Sequence, residues 1–516
     1  MIKRRGFCGS TLAALASPMP LSRLLASATA PISGDLAAIS GAGKQILLAK
    51  SDVEDLRAGL RGALLLSGDG GYDQARRLWN GAFDRHPALI ARCAGAADVR
   101  LAVNFARAHD LLVAVRGGGH SFAGQSVCDR GLMIDLSPMK GIRVDPLAKT
   151  ASVAPGVLLG EFDREAQSFG LATTAGTVSH TGISGLTLGG GFGRLCRKFG
   201  LAVDNLEAVD IVTADGSFRR ASSHENQDLF WGVRGGGGNF GVVTSLEFRM
   251  HPVGPTLLGG SLQYSWEHAR EVLPFLAAFA KDAPDEINTD LFLTKLPDGQ
   301  RVVGVDICYC GDLAAGERVI APLRAVRKPM IDTLRPTPYV ELQKQDDEML
   351  RHGRGYYIKS GFLDRLDAPI IDEAIARYES SPLPELDLLF VHHGGAVARL
   401  PNDATAFSHR AARHTIIIEA RWDDPAEAEK NMEWARRIWP SFEPYTDGFY
   451  VNELSFDESE RRIRATYGSS YDRLVALKNR YDPTNLFRLN ANVKPRGAST
   501  QIATDIVSAD LVVATA

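Results

Sequence analysis

The stretch that most constrains this chain is Val113-Ala-Val-Arg-Gly-Gly-Gly-His-Ser121. An apolar strand beginning at Leu111 runs directly into three glycines and then a histidine. Glycine has no Cβ, so it accepts positive φ and lets the backbone come close to a ligand. Successive amides in such a turn form a nest for an anion, typically a phosphate. Arg116 adds a fixed positive charge beside it. The chemistry suggested is a dinucleotide pyrophosphate lying on Gly117, Gly118 and Gly119, with His120 at the reactive end of the cofactor. The plain alternative is a tight turn that carries a surface histidine.

The flanking periodicity predicts a mixed α+β chain. Leu89 to Cys93 reads as a strand, and a helix follows from Ala97 with Val99, Ala102, Val103 and Ala106 at i, i+3, i+4 and i+7. Further strands are expected at 131–136, 150–154, 206–213 and 242–251, with a helix over 158–169. An earlier helix at 51–59 would take Asp52 as its cap. After Pro252-Val-Gly-Pro255 the glycine runs vanish, and strands alternate with amphipathic helices at 266–281, 372–378 and 425–438. That change of character marks residues 256–447 as a second domain, a sheet with helices on one side.

Two familiar nucleotide motifs are excluded. Gly236-Gly-Gly-Asn-Phe-Gly241 has Rossmann spacing, but that mechanism needs a helix opening at the last glycine. Val242 to Phe248 is β in character instead. No Gly-Lys-Ser/Thr follows Gly119, so a Walker loop is also excluded.

The segments Arg116-Gly-Gly-Gly-His120, Gly176-Thr-Val-Ser-His-Thr-Gly182, Gly185 to Gly193, Arg197 to Leu201 and Asp204-Asn205 occur in that order. Asp228 to Val243 and Tyr481-Asp-Pro-Thr-Asn-Leu-Phe487 follow. Together, from about Gly70 to Pro495, the chain resembles the berberine-bridge-enzyme-like FAD-linked oxidases of the vanillyl-alcohol oxidase and p-cresol methylhydroxylase superfamily. The resemblance implies an FAD-binding domain over 31–255, a substrate domain over 256–447 and a return to the FAD-binding domain over 448–495. Residues 496–516 have no counterpart, and 502–513 read as an extra strand or a loose end.

The resemblance also implies site residues. His120 would attack the flavin 8α-methyl and tether FAD covalently. Arg116, Gly117, Gly118, Gly119, Ser121, Gln125, Gly176, Ser179, His180, Gly182 and Gly185 would cradle the cofactor, and Gly241, Val242, Asn490 and Asn492 would line it. Some relatives carry a second tether, a cysteine within the loop equivalent to 178–185. This chain has none there and Cys196 is not at that position, so a single bond is expected.

Many relatives take the substrate proton with a tyrosine from Tyr-x-Asn-Tyr. Here the segment is Tyr450-Val-Asn-Glu453. Tyr450 is the expected base and Glu453 the alternative. As a strand, 450 and 453 would face opposite ways, leaving Asn452 beside Tyr450. Tyr356, Tyr357 and Lys359 form an aromatic and basic stretch that either assists or merely packs.

The expected reaction is hydride transfer from a C–OH or C–N carbon of a sugar, alcohol or secondary metabolite to flavin, with O2 as acceptor and H2O2 as product. A dehydrogenase with another acceptor, or a flavin-binding protein without turnover, remain the alternatives.

Composition narrows the partners. With 45% hydrophobic residues, 23% charged residues and a net charge of −3, nothing favours nucleic acid or an anionic membrane. The six cysteines form no Cys-x-x-Cys, so no metal site is expected, and Cys308 and Cys310 should share one packed strand face. Arg4-Arg5, a short apolar run and Ala26-Ser-Ala-Thr-Ala30 read as a twin-arginine export signal over 1–30, hence a periplasmic or secreted protein. The apolar run is too short to span a bilayer.

Overall fold

Three sheets carry the fold. A computed structural model describes residues 31–497. The export signal expected over 1–30 and nearly all of the 496–516 tail lie outside them.

The first sheet has four strands in the order Ala63–Leu65, Leu89–Arg92, Leu132–Asp135, Val113–Arg116. The last three run parallel. Between Leu89–Arg92 and Val113–Arg116 the chain crosses over as the helix Ala96–Ala108, whose Val99, Ala102, Val103 and Ala106 are buried as the periodicity requires. The strand entering the glycine loop is therefore pinned to a buried neighbour. Its last residue, Arg116, lies opposite Asp135.

The second sheet is antiparallel, in the order Phe218–Ser222, Leu206–Thr213, Gly241–Arg249, Thr150–Val153, Ile142–Asp145. Gly241 opens a strand rather than a helix, as the rejection of a Rossmann motif requires. Residues 449–493 return to this part of the molecule. Phe449, Leu474, Leu477 and Val493 share a core with Val153, Leu246 and Phe248.

The third sheet is the largest, with eight strands between Thr256 and Trp422. Its central order is Arg301–Tyr309, Ile287–Lys295, Leu386–His392, His414–Trp422, Gly355–Leu363. Successive strand residues point to opposite faces. Leu291, Leu293, Leu388, Phe390, Ile416 and Ile418 meet Val272, Leu276, Ile371, Ile375 and Met432 of the covering helices. The alternate residues, among them Asp290, Leu389, Ile417 and Glu419, face a cavity. Helices thus cover one face, and the other lines the cavity. Cys308 and Cys310 pack on one apolar cluster, as expected, and no disulfide forms among the described residues.

Local expectations fail at three places. The helix Lys50–Gly59 is preceded by Ala49, and Asp52 lies inside its first turn rather than at the cap. Ile183–Leu188, expected as glycine loop, is a short helix in which Ile183, Thr187 and Leu188 are buried. Val451–Glu453 is a 3-10 turn rather than a strand, closed by the Glu453 amide donating to the Tyr450 carbonyl at 2.8 Å.

Candidate active site

A cavity of about 470 Å³ lies between the glycine loops and the open face of the large sheet. One wall is Gly117 to Ser121, Gln125, Gly176, Gly182 and Gly185, with Gly241, Val242 and Asn490 beyond. Two glycine loops meet here. A Cβ at Gly118 would stand 2.5 Å from the Gly182 amide nitrogen, so neither loop could carry a side chain at the crossing. Ser184 fastens the second loop by donating from Oγ to the Pro155 carbonyl at 2.9 Å.

His120 is clamped between rings. Trp79 stacks on it at 3.9 Å between centroids and 14° between planes, and His180 stacks on it at 5.1 Å. Trp79 in turn stacks on Tyr356 at 3.9 Å. Burial, with the nearby His180 and His352, drives the His120 pKa well below its ordinary value, so the imidazole is neutral near pH 7. Its Nε2 is buried with no hydrogen-bond partner.

On the opposite side, the Tyr450 hydroxyl accepts from the Gly191 amide at 2.7 Å and from Asn452 Nδ2 at 2.6 Å. Burial raises its pKa above the ordinary tyrosine value, outweighing those two donors. Glu453 lines the same cavity because the turn brings it round to the face of Tyr450. Burial pushes its carboxyl up to about 8, with the nearby Glu419 adding to the shift, and Oε2 has no partner. A buried carboxyl titrating near neutrality beside a tyrosine that keeps its proton is an arrangement able to pair a base with a hydrogen-bond donor.

A match to the FAD binding domain model spans residues 87–222, and a match to the berberine and berberine-like model spans 449–494. An FAD-linked oxidoreductase of Dictyostelium discoideum is 34% identical, over 86% of this chain and 97% of its own. The (R)-6-hydroxynicotine oxidase of Paenarthrobacter nicotinovorans is 32% identical, over 85% and 98%. The chain belongs to the berberine-like FAD-linked oxidoreductases. The crystal structure of 6-hydroxy-D-nicotine oxidase from Arthrobacter nicotinovorans superposes on this oxidoreductase with a TM-score of 0.78 at 29% identity, covering 84% of this chain and 98% of that one.

The residues fit FAD. The glycine walls leave main chain bare along one side of the cavity, as a pyrophosphate and flavin ring require. His120 Nε2 and Asn490 Oδ1 are buried polar atoms without a protein partner, and both residues face the cavity.

Four expected cofactor residues of this oxidoreductase do not line the cavity. The Arg116 guanidinium turns away and donates to the Ala75 carbonyl, bracing the loop from behind. Ser179 donates through its amide and hydroxyl to Asp347, at 2.8 and 2.5 Å. His180 backs His120 instead of reaching the cavity itself. Asn492 Oδ1 is buried without a partner, away from the lining.

The 356–359 stretch is structural. Tyr356 supports Trp79, Tyr357 donates to Asp457, and Lys359 pairs with Asp457 and Glu458. Sequence reasoning missed Trp79, Arg194, Arg421 and the carboxylates of the large sheet. The signal for the last was present: single acids inside apolar strand runs, such as Leu386-Asp-Leu-Leu and Ile416-Ile-Ile-Glu.

Proposed function

We propose that this enzyme is an oxidase that takes a hydride from a carbon bearing nitrogen or oxygen and returns the electrons to O2 as H2O2. The observation that carries this reading is the single cavity joining the glycine loops and His120 to Tyr450 and Glu453. FAD, when bound, supplies the hydride acceptor. Glu453 takes the proton of the substrate N–H or O–H, because its carboxyl titrates near 8 and its Oε2 is free. Tyr450 keeps its proton and donates to the substrate heteroatom, while Asn452 and the Gly191 amide hold its oxygen in place. Phe192 packs edge-on against Tyr450 at 4.8 Å in the cavity lining.

A single covalent bond from His120 to FAD belongs to the same reading. A neutral, buried and clamped imidazole is a prepared nucleophile. The 178–185 stretch offers no cysteine for a second bond. Export through the twin-arginine route completes the proposal, since FAD would have to be loaded before translocation and a tether would prevent its loss afterwards. Oxygen uptake with stoichiometric peroxide tests the oxidase, and flavin fluorescence on a denaturing gel tests the tether. Turnover that needs an added dye acceptor, or flavin released entirely by acid, overturns the corresponding part.

A further inference from the structure

Behind the second glycine loop lies a buried side-chain amide that the cavity itself does not include. Gln343 closes the short helix Tyr339–Leu342, its main-chain N–H donating to the Tyr339 carbonyl at 3.0 Å. Tyr339 and Leu342 anchor that helix beside Ala172 and Leu195. The Gln343 side chain, 1% exposed, crosses from there to the glycine loop. Its Nε2 donates to the Gly176 carbonyl at 2.8 Å and to Asp163 Oδ2 at 3.3 Å. Asp163 is itself buried, on the helix Leu159–Gln167. The Gly176 carbonyl can only accept, so the Gln343 amide cannot present its oxygen there.

This contact fixes the plane of the Gly176–Thr177 peptide. In a trans peptide the C=O and N–H point opposite ways. Gln343 lies outside the cavity lining and Thr177 within it. With the Gly176 carbonyl drawn back onto Gln343, the Thr177 N–H is turned towards the cavity. Among the described residues that N–H has no hydrogen-bond partner. A main-chain donor bare on a cavity wall is satisfied by what fills the cavity. It stands at the end that holds Tyr450. A Cβ at Gly193 would collide with the Ala175 carbonyl and lie 3.3 Å from that of Gly176, so the loop runs against Gly193. Gly193 follows Phe192, which packs on Tyr450.

We propose that Gln343 is a positioning residue for the cofactor: it aims the Thr177 N–H at the isoalloxazine of bound FAD and so raises the flavin's reduction potential. Reduction adds negative charge to that ring, and a donor aimed at it holds the reduced state more tightly than the oxidised one. Gln343 acts through the peptide plane and touches neither FAD nor substrate. The proposal goes beyond the oxidase reading. It needs FAD in this cavity, but it holds whichever acceptor reoxidises the flavin and whichever of Tyr450 and Glu453 is the base.

The test measures the midpoint potential of the FAD-loaded protein by equilibration with reference dyes under nitrogen. Gln343→Met keeps the length of the side chain and removes the donor. Its ratio of reduced to oxidised flavin at a fixed potential should fall at least about tenfold, the weight of one hydrogen bond to a charged group. That is about 30 mV for a two-electron couple. Replacing Thr177 by its α-hydroxy acid turns the N–H into an ester oxygen and takes no hydrogen bond from the protein. It should lower the ratio as much, and the two changes together should lower it no further. Exchange of the Thr177 amide, followed by mass spectrometry, should be at least about tenfold faster in Gln343→Met than in the wild type. A Gln343→Met protein that melts lower but keeps its potential and its slow Thr177 exchange would make Gln343 purely structural and overturn the proposal. An unchanged potential in the ester protein would put the donor on another part of FAD, and overturns the proposal whether or not Gln343→Met folds.

Discussion

At the scale of single residues, the decisive pair is Tyr450 and Glu453. A strand would have sent them to opposite faces, and the reading that made Tyr450 the base depended on that geometry. The 3-10 turn puts both on the cavity. Tyr450 accepts two N–H groups and burial raises its pKa, so its remaining capacity is to donate. Glu453→Gln should therefore lower the limiting rate of anaerobic flavin reduction by about 10²–10⁴, the usual weight of a positioned base. Tyr450→Phe should cost less. Deprotonated Glu453 is the active form, so the wild-type limiting rate should rise with pH through about 8, and Glu453→Gln should lose that limb. Stopped-flow traces from pH 6 to 9 check both. The two residues were legible as candidates because the 449–454 segment has a familiar composition. Their order was not, because a one-residue change in local path exchanges faces and no single sequence encodes it.

At the scale of elements, the glycine loops were legible in outline and their partners were not. The strand, the turn and the histidine follow from Val113 to Ser121 alone. That Gly118 would press against Gly182 follows only from the short helix Ile183–Leu188, which glycine and threonine content concealed. The crossing is main chain against main chain, so no side chain can move aside to admit a methyl group. Gly118→Ala should separate the loops, reduce the ratio of flavin to protein absorbance severalfold, and destabilise the fold by about 1–3 kcal/mol, the usual cost of overpacking. Gly141→Ala serves as the control, since a Cβ there meets nothing within 4 Å and Gly141 lies outside the cavity lining. Thermal melts and flavin spectra of both variants decide it. Equal flavin content in the two would show that the crossing does not shape the cofactor site. The period-2 pattern of the large sheet was legible as strands. Which face would be wet was not, because apolar residues occupy both faces and only scattered polar residues, Asn288, Arg421 and the acids at 290, 306, 387 and 419, mark the cavity side.

At the scale of the molecule, the cavity exists only where the loop-bearing sheets and the large sheet close on one another, and Trp79-Asn80 is the fastener. The Trp79 amide donates to the Gly119 carbonyl at 3.1 Å, its indole Nε1 donates to Leu350 at 2.6 Å, and its ring separates His120 from Tyr356. Asn80 is fully buried and spans both sides. Its Nδ2 donates to the Phe122 and Tyr356 carbonyls, each at 2.9 Å, and its Oδ1 accepts from the Tyr356 amide at 3.0 Å. One side chain thus satisfies main chain from the histidine loop and from the edge strand of the large sheet. Asn80→Ala strands those buried groups, at about 1–3 kcal/mol for each one left unpaired. Because the stranded groups belong to different parts of the fold, the loss should fall on their closure rather than on either core. The expected result is a melting temperature lowered by several degrees, faster proteolysis near residues 350–356, and less flavin incorporated per chain, with little change in helix and strand content by circular dichroism. In a His120→Ala background, where FAD would be held without a bond, adding FAD should recover part of the lost melting temperature, since a ligand held between the two sides favours the closed form by mass action. If the variant melts lower but FAD restores nothing, Asn80 stabilises the fold without contributing to closure over the cofactor.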